Sequence, residues 1–198
     1  MAGTTASGAR PAEHVTEPTS TPSVSTIAAS DAAYKGQCFC GAITFTIVTA
    51  VGDPPIKAYL CHCLDCQRFS GSSFAHNATF SAADVHITLG AEETLQAWKA
   101  KRASRSASAA EVPQLDDVLS TYGNDAEGRI QFCGVCGTRL FLYCRAGIRE
   151  MRDKVVVPVG VIEDSYQDVR LAPSMEGWVK RKACWMPEDL GLKRMGSD

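Results

Sequence analysis

Residues 133–137 read Cys-Gly-Val-Cys-Gly, the spacing of a zinc knuckle. Two thiolates separated by two residues converge on one tetrahedral metal, and the glycines allow the tight turn that directs backbone N–H groups at sulfur. Such a pair is half of a structural site, so two further thiolates are required. Cys38 and Cys40, which are followed by Gly41, carry the same glycine signature. The sequence therefore predicts a structural Zn²⁺ held by Cys38, Cys40, Cys133 and Cys136, joining the first strand to a late hairpin.

A second cluster, Cys61-His62-Cys63-Leu64-Asp65-Cys66, offers three thiolates from a single loop. Structural zinc has four protein ligands, whereas catalytic zinc keeps one position open. Cys61, Cys63 and Cys66 therefore predict a catalytic zinc, which gives two Zn²⁺ ions per chain. Spacing alone also allows these three to join the pair at 133 and 136 and leave the first pair without metal. The shared glycine signature favours the division into four and three.

Three thiolates give the second zinc a formal charge of −1 and make it a weak Lewis acid, because thiolates donate electron density strongly. Such a metal favours a soft fourth ligand, the thiolate of a substrate. Arg68 follows the cluster and is predicted to bind a substrate carboxylate, with a surface salt bridge as the alternative. The segment Ser70-Gly71-Ser72-Ser73 offers donors for a peptide-like substrate, or is a plain β-turn.

The remaining residues of the clusters and the isolated cysteines have simpler interpretations. His62 is predicted to be satisfied inside the protein or to face solvent. Asp65 is interpreted as a helix cap or as a support for the ligands. Cys144 and Cys184 are expected to be small buried apolar residues. The tryptophans are expected in the core or in a pocket wall: Trp98, Trp178 and Trp185.

Short strands dominate the pattern after residue 36. Alternating apolar residues, many of them β-branched, indicate strands at 43–48, 56–60, 74–80, 85–89, 129–132, 138–143 and 155–162. Pro158 in the last of these indicates an edge strand or a bulge. One helical turn is expected at 116–121. The sequence thus predicts an all-β fold.

Composition divides the chain into a tail and one domain. In residues 1–33, 22 positions are Ala, Ser, Thr or Pro and none is aromatic, which predicts a disordered tail. A mitochondrial transit peptide is disfavoured because Arg10 is the segment's one basic residue. Residues 34–198 are long enough for one zinc domain. Within it, 103–125 is interpreted as an inserted loop that is mobile or covers the active site.

Charge and hydropathy exclude several classes of protein. The net charge of −2 argues against a nucleic-acid binder. No apolar run approaches the ~20 residues of a membrane-spanning helix, and the start does not resemble a secretory signal. We therefore expect a cytoplasmic protein without membrane contact. In that compartment closely spaced cysteines are metal ligands rather than disulfides.

The three cysteine motifs resemble those of the glutathione-dependent formaldehyde-activating enzyme family, which includes centromere protein V-like proteins. The resemblance rests on residues 38–41, 61–72 and 132–137 and extends over about 34–190. It implies a zinc-containing β-tent fold of short antiparallel sheets. It also implies a structural zinc at the four-cysteine set and a second zinc, at the three-cysteine set, that is open to the sulfur of glutathione. The chain departs from the family pattern in its inserted segment and at 173–185, where an expected histidine is absent.

The family's activity joins glutathione and formaldehyde into S-hydroxymethylglutathione, formally a carbon–sulfur lyase reaction in reverse. The preferred interpretation is a zinc-dependent carbon–sulfur lyase that acts on a thiol adduct, with glutathione or a related thiol as its small-molecule partner. One alternative is a zinc lyase or hydrolase acting on another small metabolite through bound water, which the weak Lewis acidity disfavours. The other is a non-catalytic two-zinc interaction scaffold.

Overall fold

Eleven β-strands and two short α-helices form the part of the chain that the computed structural model describes, namely residues 32–49, 57–91, 94–95, 114–124, 126, 128–144 and 149–195. The strands are β1 (Ala32–Gln37), β2 (Ile43–Thr49), β3 (Lys57–Cys61), β4 (Ala75–Ser81), β5 (Val85–Leu89), β6 (Leu119–Asn124), β7 (Gly128–Cys133), β8 (Arg139–Tyr143), β9 (Lys154–Pro158), β10 (Met175–Gly177) and β11 (Lys193–Arg194). The helices are α1 (Leu64–Ser70) and α2 (Leu115–Val118). The predicted all-β fold of β-tent type is confirmed.

The strands form two sheets. One has the order β1-β2-β5, and the other has the order β11-β10-β3-β4-β9-β8-β7-β6. Neighbouring strands run antiparallel except at β10, which is parallel to both β3 and β11. The predicted hairpin around the zinc knuckle is confirmed as β7 and β8. Among the residues described here, no helix is long and apolar enough to cross a membrane.

The strand predicted at 155–162 is shorter than expected. It ends at Pro158, and a 3-10 turn follows at Val159–Val161. The strand is not at an edge, because β9 lies between β4 and β8. The prediction of an edge or bulge was therefore wrong. Proline lacks the N–H that would continue the ladder, and here it ends an interior strand.

Regular structure extends into segments interpreted from composition as tail or loop. Strand β1 begins at Ala32, inside the segment 1–33, whose first 31 residues lie outside the described part of the chain. Helix α2 and strand β6 occupy 115–124, inside the segment 103–125. The one helical turn expected at 116–121 corresponds to α2. Strand β6 pairs with β7 although its side chains are mostly exposed, which explains why no apolar alternation marks it.

The core lies between the two sheets. Ile43, Phe45 and Ile47 alternate along β2 and are all buried. The ring of Phe45 packs edge-on against Phe141 of β8, with the ring centroids 5.2 Å apart. Burial of each such side chain contributes about 1.5–3 kcal/mol. This packing holds the chain segment after β1 against the β7–β8 hairpin, which is where the two predicted halves of the structural zinc site lie.

Replacement of Gly36 by alanine is expected to destabilise the protein by about 1–3 kcal/mol, the usual cost of overpacking. A Cβ at this position of β1 would overlap the ring of Phe45 and lie 2.5 Å from the carbonyl oxygen of Val161. The denaturation midpoint measures the loss. Gly160→Ala is the matched control, because its Cβ meets nothing within 4 Å. Equal stability of the two variants would show that the Gly36 contact is not tight.

Candidate metal centres

Two tight turns bring together the cysteines of the first candidate centre. Cys38 and Cys40 lie in the turn between β1 and β2, whereas Cys133 ends β7 and Cys136 lies in the turn before β8. The glycines that follow each pair, at positions 41 and 137, have φ angles of 72° and 78°. Residues other than glycine rarely adopt this left-handed backbone conformation. The glycine that follows each cysteine pair in the sequence therefore has a direct conformational cause.

The four sulfur atoms lie within 4.8 Å of one another. The Sγ atoms of Cys38 and Cys40 are 3.5 Å apart, and those of Cys40 and Cys133 are 3.8 Å apart. A Zn–S distance of about 2.3 Å gives a tetrahedron with edges of about 3.8 Å. The backbone N–H of Ile43 also donates to the sulfur of Cys38 over 3.3 Å. Donor type, number and spacing therefore fit a closed zinc site.

Ionisation of this cluster is uneven. Burial raises the pKa of Cys40 to about 11, and burial also raises the pKa of Cys133. Burial opposes ionisation of Cys136 as well, but hydrogen bonds from the hydroxyl and backbone of Thr138 outweigh it and lower its pKa to about 6. Cys136 is thus a thiolate near neutral pH. A bound cation favours the thiolate form of the others, because metal ligands bind deprotonated.

The second candidate centre lies where β3 meets α1. Cys61 ends β3, Cys63 is the residue that caps α1, and Cys66 lies one turn into the helix. The sulfurs of Cys61 and Cys63 are 3.5 Å apart, and the N–H of Cys66 donates to the sulfur of Cys63 over 3.3 Å. With seven residues, α1 is too short for a helical periodicity to reveal it in the sequence.

The three sulfurs of this cluster lie within 4.8 Å of one another, and no fourth His, Cys, Asp or Glu of the described residues joins them. The structure thus forms one group of four and one group of three, and not the alternative pairing with Cys133 and Cys136. Asp65 lies exposed in the first turn of α1. The donor set fits a zinc ion with one position open to a further ligand.

The surroundings of Cys66 favour its thiolate form more than those of Cys61. A hydrogen bond from the thiol of Cys61 lowers the pKa of Cys66 to about 6 against the effect of burial, and the positive charge of Arg139 acts in the same direction. The same hydrogen bond raises the pKa of Cys61. Hydrogen bonding and the charge of Arg139 therefore act together to favour the thiolate form at Cys66.

His62 is buried rather than solvent-facing. Its side chain is 0% exposed, and its Nε2 lies 3.5 Å from Oε2 of Glu176, which is 1% exposed. Nζ of Lys182 lies 2.9 Å from the same carboxylate oxygen. Glu176 lies in the segment where the expected histidine is absent. His62, which lies between Cys61 and Cys63, thus joins two other ionisable side chains in a buried group. The sequence pattern did not reveal this group.

Backbone contacts fix the loop against the segment that carries this group. The N–H of His62 donates to the carbonyl of Gly177 over 3.0 Å, and Gly177 is the register partner of Cys61. The side chain of Gln67 donates to the carbonyls of His62 and Arg181, over 2.7 and 3.1 Å. The three-cysteine loop is therefore hydrogen-bonded to the parallel strand β10, and α1 is hydrogen-bonded through Gln67 to the residues after β10.

The predicted substrate contacts lie at the far end of α1. A surface depression of about 520 Å³ is lined by Gln67, Arg68, Gly71, Ser72 and Ser73. Ser70 does not line it, because its hydroxyl donates to the carbonyl of Cys66 over 2.7 Å. No cysteine lines it either. Of the predicted set, Arg68 and the residues after Ser70 thus share one surface that does not include the three cysteines.

The isolated cysteines and the tryptophans are less buried than predicted. Cys184 is exposed, and Cys144 is half-buried. Trp178 and Trp185 are 40% and 70% exposed, so neither is a core residue. Both belong to the irregular segment after β10, where few elements are available to cover a large ring. Trp98 lies outside the described residues.

Cysteine-to-serine variants are expected to separate the two centres. Cys133→Ser should give insoluble or unfolded protein, because structural zinc sites contribute an apparent ~10–16 kcal/mol in small peptides. Cys63→Ser should stay folded and lose one metal, because a serine hydroxyl can still cap α1. Metal content and circular dichroism measure both, with the exposed Cys184→Ser as control. Equal loss of fold in the first two variants would contradict distinct roles.

Lys182→Met is expected to destabilise the protein by about 3–5 kcal/mol, because it leaves the carboxylate of Glu176 buried without its nearest cation. The double variant with Glu176→Met should recover most of this loss, since it removes both charges. Urea denaturation measures each change, and Lys193→Met, on an exposed lysine, is the control. A single variant as stable as the control would show that Glu176 does not depend on Lys182.

Comparisons with known proteins agree with the motifs. A family model described as glutathione-dependent formaldehyde-activating enzyme matches residues 33–181. A comparison with curated proteins finds no match. Among solved structures, the chain is similar to a crystal structure of a Rhodobacter sphaeroides protein, with 22% identity and a TM-score of 0.40 over 66% of this chain and 88% of that chain. The family match spans both cysteine clusters, and the chain therefore belongs to the glutathione-dependent formaldehyde-activating enzyme family.

Proposed function

We propose that the protein is a zinc-dependent carbon–sulfur lyase-type enzyme that binds glutathione, or a related thiol, beside Cys61, Cys63 and Cys66. The observation that carries this proposal is the contrast between one complete and one incomplete thiolate cluster in the same fold. Family membership supports glutathione and formaldehyde as the reactants. The four-cysteine cluster has the structural role in this proposal.

The three-cysteine cluster suits a thiol substrate because of its charge. A zinc ion bound there supplies positive charge that stabilises a substrate thiolate near neutral pH. Three cysteine sulfurs strongly reduce that positive charge. The ion would therefore stabilise an oxygen ligand less than a sulfur ligand. The residues of the chain thereby select sulfur as the fourth ligand and disfavour hydrolysis through bound water.

The reaction in the joining direction balances without a further reactant. The thiol sulfur forms a bond to the carbonyl carbon of formaldehyde, and the π electrons of the carbonyl move to its oxygen. The proton lost by the thiol ends on that oxygen, which gives the S-hydroxymethyl adduct. The lyase direction reverses each step. Cys61, Cys63 and Cys66 would hold the zinc ion that fixes the reacting sulfur, and a fixed sulfur would reduce the entropy that this encounter costs.

Arg68 is the proposed contact for a carboxylate of the thiol. It follows Cys66 by two residues, so its side chain leaves α1 about 200° around the axis, on the opposite face. Glutathione carries its thiol on the central residue and a carboxylate at each end, so with its sulfur at the cluster a carboxylate extends away from the cysteines toward the surface that carries Arg68. A simple thiol has no such group to offer.

Cobalt substitution tests the open position. A small thiol should strengthen the thiolate-to-metal charge-transfer band, because it adds a fourth sulfur to the Co²⁺ held by the three-cysteine cluster. Glutathione should bind more tightly than a simple thiol of equal acidity. If no thiol changes the spectrum, a protein ligand closes the site, and the lyase proposal is wrong.

Arg68→Ala should weaken glutathione binding ~10- to 100-fold and leave the simple thiol unaffected, since one charge-assisted contact contributes ~1.5–3 kcal/mol. Titration of the cobalt band measures both affinities. Arg170→Ala is the matched control, because that arginine pairs with Asp168 rather than lining the depression. Equal effects of the two arginine variants would contradict the proposed carboxylate contact while leaving the metal chemistry intact.

A further inference from the structure

A buried amide lies against the three-cysteine cluster. Asn77 is in β4, next to β3, and its side chain is 0% exposed. Its Nδ2 lies 4.0 Å from the sulfur of Cys66, and its Oδ1 accepts a hydrogen bond of 2.7 Å from Nη2 of Arg139. Arg139 is the first residue of β8. One amide of β4 thus connects an arginine of β8 to a cysteine sulfur of α1.

The arginine fixes the direction of the amide. A guanidinium has donors and no acceptor, so the amide atom that faces it must be the oxygen. The NH₂ group then has to face the other way, toward Cys66. An N–H group directed at a thiolate stabilises its negative charge. Without the arginine the amide can rotate and present its oxygen to the sulfur, which would repel the thiolate.

The charge of Arg139 is not used elsewhere among the described residues. Its guanidinium forms no ion pair with a carboxylate there, and its Nη1 is buried without a hydrogen-bond partner. Three thiolates around a divalent ion leave a formal charge of −1, and a thiolate substrate makes it −2. A buried positive charge behind the cluster offsets this excess, which counts for more in the protein interior than in water.

We propose that Asn77 and Arg139 are positioning residues for the open centre: Arg139 orients the Asn77 amide so that its NH₂ group faces Cys66, and the pair stabilises the anionic metal–thiolate group. This inference rests on the proposed function in one respect, that Cys61, Cys63 and Cys66 hold a metal ion. It assigns these two residues no contact with the substrate.

The closed centre determines where this arginine lies. Thr138 is the residue before Arg139. Its hydroxyl oxygen accepts a hydrogen bond of 3.1 Å from the N–H of Phe39 and lies 3.1 Å from the sulfur of Cys136. Closure of the four-cysteine cluster therefore fixes the start of β8 and, with it, Arg139.

Cadmium binding to the full-length protein tests the inference without an activity assay. Wild-type protein should bind two Cd²⁺ ions, with two ¹¹³Cd resonances. Asn77→Asp keeps the shape of the side chain but presents an acceptor to Cys66. It should weaken one of the two binding steps ~10- to 100-fold, the usual effect of residues that support metal ligands, and shift one resonance. The other step and resonance should not change.

Further variants keep the test decisive if the aspartate variant folds poorly. Arg139→Met removes the charge and releases the amide, and it should weaken the same step. Arg139→Lys retains a cation and should restore part of the affinity. Asn124→Asp is the matched control, because it adds the same charge at the far end of β6 and keeps the acceptor that bonds to the N–H of Ala126.

Each result has one meaning. Selective weakening in both Asn77→Asp and Arg139→Met, with partial rescue by lysine, supports the inference. Wild-type affinity and resonances in these variants overturn it. Equal weakening of both binding steps also overturns it, because a general effect on folding would explain such a result. If wild-type protein binds one Cd²⁺ ion, the metal role proposed for the three-cysteine cluster fails, and that failure is distinct from the others.

Discussion

The convergence of four cysteine sulfurs from two distant turns is the constraint on which the rest of the structure depends. Cys40 and Cys133 are 93 residues apart in sequence, yet their sulfurs are 3.8 Å apart. Their approach requires the small sheet to pack on the β7–β8 hairpin, and the contact of Phe45 with Phe141 supplies the apolar part of that packing. A metal ion bound to these four sulfurs would connect the two sheets.

The open cluster uses the same ligand atoms in a different setting. It has three sulfurs instead of four, and ionisable or polar groups lie close to it on two sides. On one side, Glu176 brings His62 and Lys182 together below the loop. On the other side, Asn77 connects Cys66 to Arg139. The closed cluster has the four sulfurs that a structural zinc site requires, whereas the open cluster has three and lies beside these buried polar groups.

Local spacing made both clusters and most strands predictable. Ligands two residues apart, followed by glycine, constrain the backbone within one turn, so the pattern survives without any tertiary information. Apolar alternation located β2, β4 and β5 for the same reason. Prediction failed where burial depends on distant elements. Pro158 belongs to an interior strand because the sheet order places β9 between β4 and β8, and Cys184 is exposed although small apolar residues are usually buried.

The sequence by itself determined the all-β class, the seven candidate ligand cysteines and the chemistry that three thiolates would impose on a bound zinc ion. The tertiary structure decided how these cysteines divide into sets, and it showed that His62 is buried beside Glu176. It also placed Asn77 between Arg139 and Cys66. The physical reason is that ligand spacing is a property of a few consecutive residues. The partner of a buried polar group, in contrast, comes from whichever strand the sheet order places beside it.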